Sequence, residues 1–410
     1  MNGPYAALRF PDFRHFIFAR FFITLAIQIQ ATVVGWQIYE ITQDPLSLGL
    51  IGLAEAVPSI AVSLYAGHVA DVVNRKTIVL STVIILLACS IALFIFASFT
   101  GAFLQHLGAL PIYATIFVSG IARGFLSPAN FSLLPQLVPR ALFPNAITLN
   151  STFWQAASIG GPMLAGLIYA GLGLEAAYLS DVVLVVASVV LYSLVARQPL
   201  PPISHEQGIR EKIKAGISFV FNHQIILGAI TLDLFAVLFG GAVALLPVFA
   251  SDILFVGKFE FGVLRAAPGI GALLMAVYIT HHPIQRQMGK VLLWSVAGFG
   301  LTMIGFGLSK SYYLSVALLM LSGMFDSVSV IIRSTLIQTL TPENMKGRVA
   351  AVNNIFIGSS NELGALESGV AAKLLGVIPS VVAGGHATLL VVAVTAWKAK
   401  KLRFLDRIHD

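Results

Sequence analysis

Long apolar stretches alternate with short polar connections along the whole chain. A helix that crosses a bilayer needs about 20 consecutive, mostly apolar residues. Hydropathy predicts twelve such helices, at roughly 16–40, 46–70, 77–99, 110–136, 146–171, 176–196, 224–249, 259–281, 290–308, 312–338, 350–375 and 379–397. The expected fold is an all-α membrane protein with six spans in each half. The first span is too long for a signal-peptide core, embeds Arg20 and lacks a small-residue cleavage site, so it reads as a retained helix.

The second half repeats the first at a displacement of about 203 residues. Leu137-Val138-Pro139 returns as Leu340-Thr341-Pro342, Asn150 and Phe153 as Asn353 and Phe356, and Gly161 and Gly166 as Gly364 and Gly369. Two pseudo-symmetric six-helix bundles, 1–197 and 223–410, are therefore expected, with a cytoplasmic linker at 198–222. Two similar membrane bundles are the plan of a secondary transporter whose binding site lies between its halves. In the linker, Ile209, Ile213, Ile217 and Phe221 have helical spacing and predict an amphipathic helix on the inner leaflet; a plain linker fits the same residues.

Composition agrees with membrane insertion: 57% of the 410 residues are hydrophobic and 10% are charged, with a mean hydropathy of +0.89. Cys89 is the only cysteine, which excludes an intrachain disulfide and a thiol-metal cluster. Lys and Arg collect on alternate connections, among them Arg9, Arg14, Arg75, Lys76, Arg140, Arg197, Lys290, Lys346 and the cluster Lys398 to Arg407. The opposite connections hold only Lys258 and Lys310, so both termini are expected in the cytoplasm. The net charge of +7 is then topological, and no nucleic-acid partner is expected.

The connection after the second span reads Gly67-His68-Val69-Ala70-Asp71-Val72-Val73-Asn74-Arg75-Lys76 and resembles the G-x-x-x-D-x-x-x-R-K signature of the major facilitator superfamily. Arg123-Gly124 in the fourth span is similar to that superfamily's helix-four arginine motif. Gly160-Gly161-Pro162 with Gly166 in the fifth resembles its antiporter motif. Phe10 to Arg14, Phe18 to Phe21 and Gln338 to Arg348 resemble the bacterial branch that contains enterobactin exporters and macrolide efflux pumps. The resemblance implies a multi-pass protein of the bacterial inner membrane, expected as a monomer in the bilayer, that moves a small-molecule substrate and protons without cofactor or bound metal.

Each motif also has a physical reading. Asp71 can pair with Arg75 or cap a neighbouring helix, closing a cytoplasmic gate, while Arg75 and Lys76 equally fit ordinary inner-face anchors. The matching stretch His281 to Lys290 has lost the aspartate, and its paired histidines fit a hydrated interface or a metal or pH sensor. Gly160, Gly161 and Gly166 clear a helix face and Pro162 removes one backbone hydrogen bond, which fits a hinge, a tight seal or generic close packing.

Ionisable residues inside the spans are the sharper signal, because a charge near the bilayer centre costs roughly 2.5–3.5 kcal/mol on insertion scales and usually marks a pathway. The repeat matches Gln30 with Asp233 and Arg123 with Asp326. In the resembled superfamily spans one, four, seven and ten line the cavity, which implies one layer in which Arg123 faces two aspartates as a proton switch. Glu55 and Arg265 occupy equivalent places and suggest an outer gate, although each also fits a pair within its own half. Glu362 is the second candidate proton carrier, and Asp181 and Arg333 read as structural pairs. Phe125, Phe131, Trp154, Phe235, Phe239 and Phe325 suit a bulky aromatic or amphipathic substrate wherever they face the cavity.

The leading functional expectation is proton-coupled export of a medium-sized organic molecule, a siderophore or a drug-like compound, by alternating access. Proton-coupled uptake of a nutrient or metal chelate, and a non-transporting receptor, are the alternatives. No Walker loop or nucleophile-base constellation stands in the connections, so an enzyme is not expected.

Overall fold

Among the described residues, helix follows helix from Pro11 to Arg403. The computed structural model describes residues 5–98, 107–198, 209–284, 286–342 and 345–406, and leaves outside its description the side chains of 63, 64, 67, 68, 70–72, 209–215, 347, 348, 350, 351, 354, 355, 359 and 362. The helices are α1 (Pro11–Thr42), α2 (Pro45–Val72), α3 (Arg75–Ser98), α4 (Leu110–Leu133), α5 (Phe143–Leu194), α6 (Ile209–Asn222) and α7 (Gln224–Gly240). They continue as α8 (Lys258–His281), α9 (Met288–Leu308), α10 (Tyr312–Leu340), α11 (Lys346–Leu375), α12 (Val377–Lys398) and the single turn α13 (Lys400–Arg403). Short helical turns from Ala242 to Ile253 follow α7. A bilayer offers the backbone no hydrogen-bond partners, so apolar spans of this length close their bonds within the helix.

Among the described residues, ten helical stretches are long and apolar enough to cross a membrane. The difference from the twelve expected has two sources. The stretch Arg140–Leu194 holds two of the predicted spans, divided where Gly173 takes φ 88° and ψ 179°. Gly376, 203 positions on, takes φ 91° at the boundary of α11 and α12. The repeat thus extends to the one backbone conformation that glycine alone adopts easily. The 30-residue α11 is long enough to span, but the polar run Asn353, Asn354, Asn361 and Glu362 keeps it out of the apolar set.

Contacts divide the chain into two units that follow the sequence halves except at two places. The first comprises Met1–Gln43, Leu53–His205 and Gly257–Ala266; the second comprises Asp44–Gly52, Glu206–Val256 and Ala267–Asp410. The start of α2 therefore belongs with the second half and the start of α8 with the first. In the first unit Phe13, Phe16 and Ile17 of α1 are buried against Val79 and Val83 of α3, Leu133 of α4 and Val185 and Tyr192 of α5. In the second, Leu232 of α7, Leu292 and Val296 of α9, Ile332 and Leu336 of α10 and Leu402 of α13 form the equivalent core.

The predicted linker helix is present as α6 (Ile209–Asn222). Val220 enters the second unit's core beside Ile226, Ile337 and Val349, whereas Ile217 and Phe221 are exposed. The turn into α7 is capped by His223, whose Nδ1 accepts from the Ile226 amide at 3.4 Å. Burial, and secondarily Lys401, push that imidazole below its ordinary value, which keeps Nδ1 available as an acceptor.

Candidate functional site

The second unit contains a buried charge cluster built by two helices. Arg333 of α10 makes an ion pair through Nη1 with Asp233 Oδ2 of α7, and the two side chains are only 4% and 7% exposed. Asp326, Ser329 and Arg333 are spaced three and four residues apart, so they share one face of α10. Asp233, Asp326 and Ser329 line one small cavity with Val296, Phe299 and Phe325. Two buried donor groups, Ser329 Oγ and Arg333 Nε, have no hydrogen-bond partner among the described residues. Side chains on a helix lean toward its N-terminus, so Arg333 leans toward Ser329 and Asp326. The arrangement holds one carboxylate neutralised by arginine and a second that makes no ion pair with any described residue.

The expected pairing of Arg123 with the two aspartates is not the pairing found. Arg123 Nη1 makes an ion pair with Glu55 Oε1 inside the first unit. Glu55, on α2, meets the arginine of α4 because Gly120 and Gly124 bring α4 onto the carbonyls of Glu55 and Ser59. Of the expected outer-gate residues, Glu55 interacts electrostatically with Arg265 and also makes the ion pair with Arg123. Arg333, expected to be a structural partner, is the cation that Asp233 uses. Gln30 is buried on α1 in the first unit. The side chain of Glu362 lies outside the described residues.

Of the motif expected at the cytoplasmic gate, the side chains of Gly67 and Asp71 lie outside the described residues. Arg75 donates to the Ser132 carbonyl at 3.0 Å and Lys76 to the Ser193 carbonyl at 2.8 Å, near the C-terminal ends of α4 and α5. Cations there satisfy terminal carbonyls and favour the helix dipole. His281 and His282 turn back to carbonyls of their own helix, at Val277 and Tyr278.

The antiporter-like motif packs on two sides. A Cβ on Gly161 would meet Gln28 of α1 at 2.4 Å, and Gly160 lies nearest Leu25. Gly166 faces the first turns of α8, where its Cβ would lie 2.7 Å from the Lys258 carbonyl and 3.0 Å from the Gly262 Cα; in return a Cβ on Gly262 would meet the Pro162 carbonyl at 2.5 Å. Beside this seam, Glu40 Oε1 accepts from Trp36 Nε1 at 2.7 Å and pairs with Lys258 Nζ at 3.3 Å, while Tyr169 donates to Oε2 at 2.8 Å. Lys258 also stands 3.9 Å over the Tyr169 ring. None of these four residues was singled out as a site by sequence reasoning. The one signal available was that Lys258 stands in one of the connections that otherwise hold almost no cations.

The second unit holds the repeat of this seam. Gly369 faces Gly49 of α2, their Cβ positions 3.0–3.2 Å from the opposing backbone, and Lys373 Nζ donates to Asp44 Oδ2 at 2.8 Å. Asp44 lies in the connection before α2. The Lys373 hydrogen bond is the first cause holding its carboxyl below the ordinary range, opposed by burial and aided by the Leu46 amide. A lowered folded-state pKa means that the pair stabilises at neutral pH and that this contribution is lost as pH falls through that value. Both side chains are about a third or more exposed, so screening limits the contribution to roughly 0.2–1 kcal/mol. Asp44→Asn should therefore lower the melting temperature of the detergent-solubilised protein slightly at pH 7, and the difference from wild type should vanish in acid. A difference independent of pH would mean that the Lys373 contact is not its source.

Residues 2–408 match the family described as transmembrane secretion effectors. The chain belongs to this family. It is a multi-pass transporter of the major facilitator type and not an enzyme. Among curated relatives, it is 27% identical over 389 residues to the enterobactin exporter EntS of Shigella boydii, covering 93% of this chain and 90% of the relative. EntS of Escherichia coli O1:K1 is 26% identical over the same span. Among solved structures, the fold matches the POT family transporter PepTSo with a TM-score of 0.76 at 12% identity, over 96% of this chain and 99% of that one. It matches a bacterial homologue of the iron transporter ferroportin with a TM-score of 0.69 at 16% identity, over 96% and 99%. α7 of this family member carries the buried Asp233, α10 carries the partly buried Asp326, and each unit holds one glycine seam.

Proposed function

We propose that this family member is a proton-coupled exporter of a medium-sized organic molecule, a siderophore or a drug-like compound, working by alternating access in the bacterial inner membrane with both termini cytoplasmic. The observation that carries the coupling is the Asp233–Arg333 ion pair, whose aspartate lines one cavity with Asp326. Protonating Asp233 removes its charge and releases Arg333. The guanidinium then turns along its own helix face toward Ser329 and Asp326, and the wall of the cavity changes charge and shape. Deprotonation restores the pair. Phe299 and Phe325 on the same wall suit an aromatic or amphipathic substrate. The kinship to enterobactin exporters over most of the chain supports export and a siderophore-sized cargo. The two glycine seams serve as outer closures, with Gly160, Gly161 and Pro162 as the hinge, and Asp71 and Glu362 complete the reading as inner latch and second carrier.

The test compares, by untargeted mass spectrometry, the medium of cells expressing wild type with that of cells expressing Asp326→Asn, grown with and without iron. Enrichment of a metabolite outside, with wild type only, is expected, and confinement to low iron would identify a siderophore. Depletion of a metabolite from the medium by wild type would reverse the direction, and identical media in all conditions would sink the export reading.

A further inference from the structure

The first unit buries an acid that the ion pairs above do not use. Asp181 on α5 is 1% exposed. Ser90 of α3 donates to one carboxyl oxygen, and the other, Oδ2, has no hydrogen-bond partner among the described residues. Asp181 forms no ion pair with any described Lys, Arg or His, which corrects its reading as half of a structural pair. One turn earlier on the same face, Tyr178 donates to Gln37 Oε1 of α1 at 2.5 Å. One turn along α1 from Gln37 stands Glu40, 45% exposed at its side chain. The polar residues thus run from the buried acid to the rim of the bundle.

The internal repeat supplies a control for whether the fold needs this polarity. The displacement of about 203 residues that aligns Gly173 with Gly376 also aligns Asp181 with Gly384, Tyr178 with Val381 and Gln37 with Gly240. In the second unit these positions close by direct contact: a Cβ on Gly384 would lie 2.0 Å from the Phe239 carbonyl, next to Gly240. The same helix crossing is therefore made in one repeat by glycine and valine and in the other by a carboxyl, a phenol and an amide. Packing does not require the acid, and a carboxylate in a dry interior is costly unless something compensates it.

We propose that Asp181 is an exchangeable proton-binding site in the first bundle, reached from the Glu40 rim through Gln37 and Tyr178. Oδ2 takes and gives up the proton, and Oδ1 keeps the Ser90 hydrogen bond. The titratable groups that face it are Cys89 of α3 and Tyr178 of α5 itself; α1 contributes the uncharged Gln37. The site stands without any substrate, so its test is separate from that of the export reading.

Infrared difference spectra of the full-length protein in liposomes, taken between acid and alkaline pH in heavy water, read the carboxyl directly. Wild type should show a protonated-carboxyl band that disappears as pH rises, one such band should be missing from Asp181→Asn, and Asp181→Glu should retain it at a shifted frequency. Adding sodium at fixed pH should leave the band in place. A titration of Asp181→Asn identical to that of wild type would overturn the proposal, because the acid would then hold one charge state throughout. Loss of the band on adding sodium would overturn it equally, in favour of a metal-cation site. If Asp181→Asn does not insert, an unshifted band in Asp181→Glu decides against it.

Discussion

Arg333→Met alone should destabilise the second unit by about 3–5 kcal/mol, whereas Arg333→Met combined with Asp233→Asn should recover most of that loss. The single substitution leaves the Asp233 carboxylate buried and unpaired, since both partners are almost fully enclosed. The double substitution removes both charges and leaves a methionine stem and an amide in nearly the same volume. Stability is read from thermal unfolding in detergent. Gradient-driven transport should follow a different order: lost in both single variants and still lost in the double, because the rebuilt pair can no longer exchange a proton for a released guanidinium. A double variant that folds and transports under an imposed pH gradient at the wild-type rate would show that the pair only stabilises. Additive stability losses would show that the two side chains do not act as a pair.

This pair marks the limit of what the sequence made legible. The acids were visible, because charges inside apolar helices are costly and therefore few, and the repeat aligned Asp233 and Asp326 with mid-span positions. Their partner was not visible. The repeat pointed to Arg123, the residue equivalent to Asp326, but pairing follows helix contacts, and α4 is drawn onto α2 by Gly120 and Gly124. That contact gives Arg123 to Glu55, a residue whose sequence counterpart is Arg265. Arg333 lies two turns beyond Asp326 on the same helix face, a relation the spacing permits but does not select.

The helical fold was legible for the opposite reason: it rests on hydropathy summed over long windows, which single residues do not disturb. Even α11, whose polar residues weaken its apolar signal, falls on the predicted span at 350–375. The Glu40, Tyr169 and Lys258 cluster was not legible because Glu40 and Tyr169 look ordinary in their own helices and the unusual position of Lys258 names no partner; only the approach of the α8 start to α5 brings them together. That approach depends on two residues without side chains.

Gly262→Leu should therefore open the seam between α5 and the start of α8 while leaving membrane insertion intact. The new Cβ would sit 2.5 Å from the Pro162 carbonyl and close to the Gly166 backbone, and backbone cannot move aside as a flexible side chain does. Overpacking of this kind costs about 1–3 kcal/mol, which shifts a two-state equilibrium about 5–150-fold. Glu40 would lose Lys258 as the seam opens, and Trp36 and Tyr169 would remain its donors. A spin-label pair on α5 and α8 measures the separation directly, and a single substitution at Cys89, the only cysteine, supplies the background. Longer distances with loss of flux are expected if this seam must close in each cycle. Unchanged distances would mean that the crossing tolerates the side chain, and longer distances with normal flux would remove the seam from the transport cycle.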